Sequence, residues 1–251
     1  MGWMLFKEYR KPRLKSSIAL FGFPGIGRIG KSVVSYIIDQ LEATKLFELY
    51  SEDLYLPGSS VGIMVEDDGI IKMPSIEAYL AKSKRNNVIL ITGDVQPVPW
   101  AQYSITTKIL QYLKRQECNL VVSLSGFLKP SERGAIYILS NNSKVINELT
   151  RMGARTKRVI GSIIGMAGVS LATAKIEGMP YLSMTTMVEN EIYDLRSAKK
   201  TILLIDKWLG LGLSYDEIDK SILEMEYATL QYERAIQQAL GSKPEGAEYV
   251  G

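Results

Sequence analysis

Ser17-Ile18-Ala19-Leu20-Phe21-Gly22-Phe23-Pro24-Gly25-Ile26-Gly27-Arg28-Ile29-Gly30-Lys31-Ser32 is the stretch on which the reading of this chain turns. An apolar run ends in a glycine-proline turn, and Ile26, Ile29, Val33 and Ile37 then recur at helical steps. That spacing predicts a strand, a tight turn and a helix with one buried face, which is the first half of a βαβ unit. The turn satisfies two phosphate-binding patterns at once. Gly25, Gly27 and Gly30 fit the dinucleotide pattern G-x-G-x-x-G, and Gly25 through Gly30-Lys31-Ser32 fits the P-loop pattern G-x-x-x-x-G-K-S. Both use glycine so that backbone can bend sharply and approach an anion at a helix N-terminus. A structural reading competes with them, in which the glycines only let helix and sheet pack closely.

Neither nucleotide reading finds its full context. A P-loop needs Lys31 on phosphate, Ser32 on a magnesium ion and an Asp at the end of a second buried strand. Asp94 is the best-placed Asp, because Asp206 falls within a helical pattern running from 195 to 209. A dinucleotide site needs an acidic residue about 20 positions on. Glu52 or Asp53 would serve, but no second nucleotide-binding half follows.

Composition narrows the chemistry further. The chain of 251 residues is 46% hydrophobic, enough for a substantial core, and carries one Cys and no His. Without His there is no Ser-His-Asp or Cys-His system and no His-bearing zinc site. Acid–base chemistry would fall to Asp, Glu, Lys or Tyr. Cys118 reads as an inert, half-buried thiol, and a lone Cys suits a reducing cytoplasm. A formal charge of +3 with dispersed basic residues does not argue for nucleic acid, and no apolar run is long enough to span a membrane.

Outward from the turn, residues 1–16 read as a basic, partly extended segment, and 45–51 as a strand. Residues 62–66 and 69–73 read as a hairpin about Asp67-Asp68-Gly69. Pro74 and Ser75 introduce a short expected helix that ends at Asn86-Asn87. Residues 88–91 and 120–124 have the continuous apolar character of doubly covered parallel strands. They end in Thr92-Gly93-Asp94-Val95-Gln96-Pro97 and in Ser125-Gly126-Phe127, both expected as crevice loops where Asp94, Gln96 and Glu189 either converge or only satisfy loop and helix-cap hydrogen bonds. Between them a helix from about Trp100 carries Ile105, Ile109 and Tyr112 on one face. Strands at 135–139 and 181–188 and a helix at 144–152 follow the same logic. Gly165 and Gly168 are expected to bracket a turn before a helix that reaches Lys175. Asp194 caps a helix that stops at Gly210, and Ser214 with Glu217 forms a capping box for a second long helix. The expected fold class is α/β, three-layer, with a mainly parallel sheet and a helical C-terminal region. The expected division is a domain of residues 1–213, a helical region 214–240 and a flexible tail 241–251.

The Gly22-Phe23-Pro24-Gly25-Ile26-Gly27 turn with Gly30, together with Thr92-Gly93-Asp94 and Gln96-Pro97, resembles the proteasome assembly chaperone family in its archaeal form. Gly126, Gly165, Gly168, Gly178, Glu189, Asp194 and Ala198 match in the same order, so the resemblance covers residues 18–213. It implies a phosphorylase/hydrolase-like α/β fold without catalytic machinery, cofactor or metal. It also implies a cytoplasmic homo-oligomer that binds proteasome subunits or the core particle. The resemblance makes Gly22, Pro24, Gly25, Gly27, Gly30, Asp94, Gln96, Gly126 and Glu189 a structural loop or ligand site. It makes the terminal Tyr249, Val250 and Gly251 a candidate partner-binding tail, with a merely solvated tail as the competing reading. Family members that dock on the proteasome often end in hydrophobic–Tyr–any residue, whereas Tyr249 is third from last and Glu248 precedes it. The competing function is a P-loop nucleotide enzyme using Lys31, Ser32 and Asp94.

Overall fold

The computed structural model describes residues 2–241 apart from 13, 15, 57–59, 66, 68, 84–86 and 157–160. Two units emerge, Met1–Leu213 and Ser214–Gly251. The first is built on strands β1 (Met4–Glu8), β2 (Ser17–Gly22), β3 (Thr44–Ser51), β4 (Met64–Val65), β5 (Ile71–Lys72), β6 (Ile76–Lys82), β7 (Asn87–Gly93), β8 (Cys118–Leu128), β9 (Ile136–Ser140) and β10 (Tyr181–Val188). Its helices are α1 (Ile29–Gln40), α2 (Gln102–Arg115), α3 (Ser143–Arg151), α4 (Gly165–Ile176) and α5 (Leu195–Leu209).

Eight strands form one sheet in the order β1-β3-β6-β7-β2-β8-β10-β9, and β4 pairs with β5 as the expected hairpin. The interior strands β7, β2, β8 and β10 are parallel to one another. The flanking strands β1, β3 and β6 on one side and β9 on the other are antiparallel. Helices α1 and α5 pack together on one face and α2 and α4 on the other, giving the three-layer α/β fold. β2 is buried along its whole length, as a strand covered on both faces must be. Phe6, Phe47 and Tyr112 stack in the core with ring centroids 4.4 to 5.6 Å apart.

Three local expectations need correction. Residues 76–82, read as a helix, form β6, which is hydrogen-bonded to a neighbour on each side. Ser125-Gly126-Phe127 is not a loop, because β8 runs on through it to Leu128. Gly165 and Gly168 do not precede α4 but lie inside it, Gly165 as its first residue with φ of +68°. The second unit is a helix, α6 (Asp216–Gly241). At its start the Ser214 hydroxyl accepts from the Asp216 amide at 3.3 Å and donates to its carboxylate at 2.9 Å.

Candidate functional site

The glycine turn leaves β2 at the end of the parallel strands, between β7 and β8. Gly22 and Gly30 are there for close approach. A methyl group on Gly22 would stand 2.1 Å from the Gly30 carbonyl oxygen, and one on Gly30 would stand 2.8 Å from the Leu124 carbonyl oxygen. Gly126 completes the contact, since its Cα faces the Ile26 carbonyl where a Cβ would come within 2.2 Å. The backbone of the turn thus rests directly on β8. Ile26 does not join the buried helix face. It lies in a single 3-10 turn and is 37% exposed, while Ile29, Val33 and Ile37 are buried.

The turn is also engaged by the loop that follows β10. The Gly27 amide donates to the Glu191 carbonyl at 2.6 Å, and the Asp194 amide donates to the Gly27 carbonyl at 3.1 Å. Gly27 has φ of +62°, and a Cβ there would lie 2.9 Å from Val188. Asp194 caps α5 as expected, accepting from the Ser197 amide at 3.0 Å and from the Arg133 guanidinium at 2.8 Å. Burial raises the pKa of its carboxyl, but Arg133 and two backbone amides outweigh that, so it lies below the ordinary carboxylate range. Glu189 pairs with the same Arg133.

Lys31 and Asp94, the two charges a P-loop would use, are bonded to each other at 3.2 Å. Asp94 also holds Lys72 of β5 at 3.0 Å. Lys72 continues to Glu77 at 3.5 Å, and Lys45 bridges Glu77 at 3.3 Å to Glu48 at 2.6 Å. Glu48 and Glu77 are 8% exposed, and Tyr9, Tyr50 and Tyr79 donate to them. Burial raises the Glu48 pKa, but hydrogen bonds from Lys45, Tyr9 and Tyr50 and the Lys45 charge reverse the effect and hold it at about 2. This ladder of alternating charges was not legible as a site, because its charged members come from α1, β3, β5, β6 and the loop after β7. Asp53, one of the dinucleotide candidates, accepts from the Trp100 indole at 3.0 Å.

Gln96 joins the glycine turn to the start of α4. Its amide nitrogen donates to the Pro24 carbonyl, and its carbonyl accepts from the Met166 amide at 3.0 Å. Asp94, Gln96 and Glu189 therefore have separate partners and do not form one cluster. Beside Gln96, on the α4 face of the sheet, lies a cavity of about 630 Å³ that reaches from Pro24 and Gly126 to β9. Cys118 is buried, and burial raises its thiol pKa. Among the described residues no group of three or more Cys, Asp or Glu could hold a metal ion, and no helix is long and apolar enough to cross a membrane. Tyr249, Val250 and Gly251 lie outside the described residues.

The parallel core, the glycine turn packed on β8 and the capped loop after β10 define an α/β protein of three layers. The chain belongs to the PAC2 family, whose model matches residues 19–231. This agrees with the resemblance drawn from the glycine turn and the Gly-Asp-x-Gln-Pro loop. Its fold is similar to that of Pyrococcus furiosus PbaB, an archaeal proteasome activator, with 23% identity, a TM-score of 0.80 and coverage of 93% of this chain and 100% of that one. It is likewise similar to Pyrococcus furiosus PbaA, an archaeal homolog of proteasome-assembly chaperone, with 20% identity, a TM-score of 0.76 and 94% coverage of each chain. An uncharacterized protein of Methanocaldococcus jannaschii is 24% identical over 247 residues, 95% of this chain and 93% of that protein.

Proposed function

We propose that this chain is a non-enzymatic, cytoplasmic proteasome assembly chaperone or proteasome-binding protein that acts as a homo-oligomer. The observation that carries this reading is family membership over residues 19–231, joined to a fold shared along nearly the whole chain with PbaB and PbaA. The geometry of the glycine turn supports it. Its Gly27 amide is committed to Glu191 and its Lys31 to Asp94, so two groups that a P-loop would turn toward phosphate are already bonded within the protein.

Oligomer formation is supported by unpartnered apolar surface. On α6, Leu223, Tyr227 and Leu230 follow at helical steps and are 66%, 66% and 52% exposed. Stripes of that kind are uncommon on monomers. Tyr249, Val250 and Gly251 are proposed as a docking tail. Several copies on one oligomer would raise the tail's effective concentration at a symmetric ring.

Capture of purified proteasome core particle by the full-length protein, by a form lacking residues 242–251 and by Tyr249→Ala tests this reading. Truncation is expected to weaken capture strongly, and Tyr249→Ala to reproduce most of that loss, since an aromatic anchor commonly dominates a small interface. Equal capture by all three would reject the tail and leave recognition to the folded surface. In parallel, ATP with magnesium is expected to produce no thermal shift. A saturable shift abolished by Lys31→Ala would favour the nucleotide enzyme instead.

A further inference from the structure

The parallel register sets Ser123 opposite Ser183 and Ser125 opposite Thr185. Alternate residues share a face, so four hydroxyl side chains occupy one face of two interior strands. The other face of the same strands carries Val122, Leu124, Leu182 and Met184, the apolar residues expected of interior strands. These four hydroxyls therefore lie on the side of the cavity, whereas Thr186, on the other face of β10, is bonded to Thr201 of α5 at 2.7 Å. Ser125, Ser183 and Thr185 line it directly.

Their hydrogen bonds leave capacity unused. Ser123 donates to the Ala167 carbonyl at 2.8 Å. Ser125 and Thr185 share one bond at 3.0 Å, and Ser183 and Thr185 share another at 3.4 Å. Three hydroxyls carry three hydrogens, and two bonds use two of them. One O–H hydrogen beside the cavity thus has no acceptor among the described residues.

The remaining walls define what can enter. Among the described residues, no Asp, Glu, Lys or Arg lines the cavity. An ionised guest would lose its hydration there without gaining a counter-charge from these walls. Phe23, Phe127, Ile138 and Ile164 supply apolar wall instead, and about 630 Å³ lies within the usual span of small-molecule sites, roughly 300 to 1,000 Å³.

We propose that this cavity binds an uncharged, largely apolar small molecule whose carbonyl or similar acceptor takes the spare hydrogen of the Ser125–Thr185–Ser183 hydroxyl group. The inference does not rest on proteasome binding, and either can fail without the other.

The test is fluorescence titration of the full-length protein with Nile red, which is uncharged, apolar and bears one ring carbonyl. 8-Anilinonaphthalene-1-sulfonate serves as an anionic counterpart. One saturable Nile red site per chain is expected, with the sulfonate at least about tenfold weaker. Thr185→Val keeps the shape but removes a hydroxyl, and should weaken Nile red about fivefold. Ala167→Phe fills the cavity from α4 and should abolish binding at unchanged melting temperature. If Ala167→Phe does not fold, Thr185→Val combined with Ser125→Ala decides the matter, with a larger loss expected than from either alone. Absence of a saturable site, equal binding of the sulfonate, or unchanged affinity in the folded variants would each overturn the proposal.

Discussion

Gly27 shows how a single residue ties two loops together. Its positive φ suits glycine, its amide and carbonyl hold the loop from 189 to 194, and its missing side chain makes room for Val188. Gly27→Val should destabilise the first unit by a few kcal/mol, roughly the range for overpacking combined with backbone strain. Urea denaturation measures this, and an unchanged midpoint would contradict the role assigned to the turn. Glu48 makes a prediction with a sign. Its pKa falls from 4.5 unfolded to about 2 folded. The stabilisation it contributes is fully present above pH 4.5 and is lost as pH falls toward 2. Glu48→Gln should therefore lower stability at neutral pH by on the order of 2 kcal/mol. The variant should also flatten the acid limb of stability between those two values. Parallel acid limbs in wild type and variant would contradict the network. The sequence showed Asp94 and Lys31 as chemistry-bearing residues but could not show that they pair with each other. Ion pairing across 63 positions is set by the sheet, not by local spacing.

At the scale of elements, legibility followed periodicity. The apolar runs of β2, β7, β8 and β10 and the stepped stripes of α2 and α5 were readable because each is buried in a repeating way. β6 was misread because Glu77, Ala78, Leu80, Ala81 and Lys82 are good helix formers, and pairing on both edges overrides that preference. The cavity floor left a signal that went unused. Ser123 and Ser125, then Ser183 and Thr185, interrupt two apolar strands at the two-residue step that marks one face. The exposed stripe on α6 makes its own prediction. Replacing Tyr227 and Leu230 together by Glu should shift the protein to a smaller species in light scattering, with little change in the helicity of the first unit. An unaltered mass at micromolar concentration would remove α6 from the assembly surface. The β4–β5 hairpin, with Val65 67% exposed and Ile71 66% exposed, would then become the next face to test.

For the whole molecule, charged groups are paired within the chain while large apolar side chains stand exposed. At the end of the parallel sheet Lys31 pairs with Asp94, Gln96 with Pro24 and Met166, and Gly27 with Glu191 and Asp194, while bulky apolar side chains stand exposed on α6 and on the β4–β5 hairpin. Such a division suits a protein that works by binding other proteins. Biolayer interferometry of immobilised full-length protein against purified proteasome core particle from the same source tests that claim most directly. The account predicts saturable, reversible binding that persists when nucleotide and magnesium are omitted. No binding at micromolar core particle, or binding that requires ATP, would contradict it.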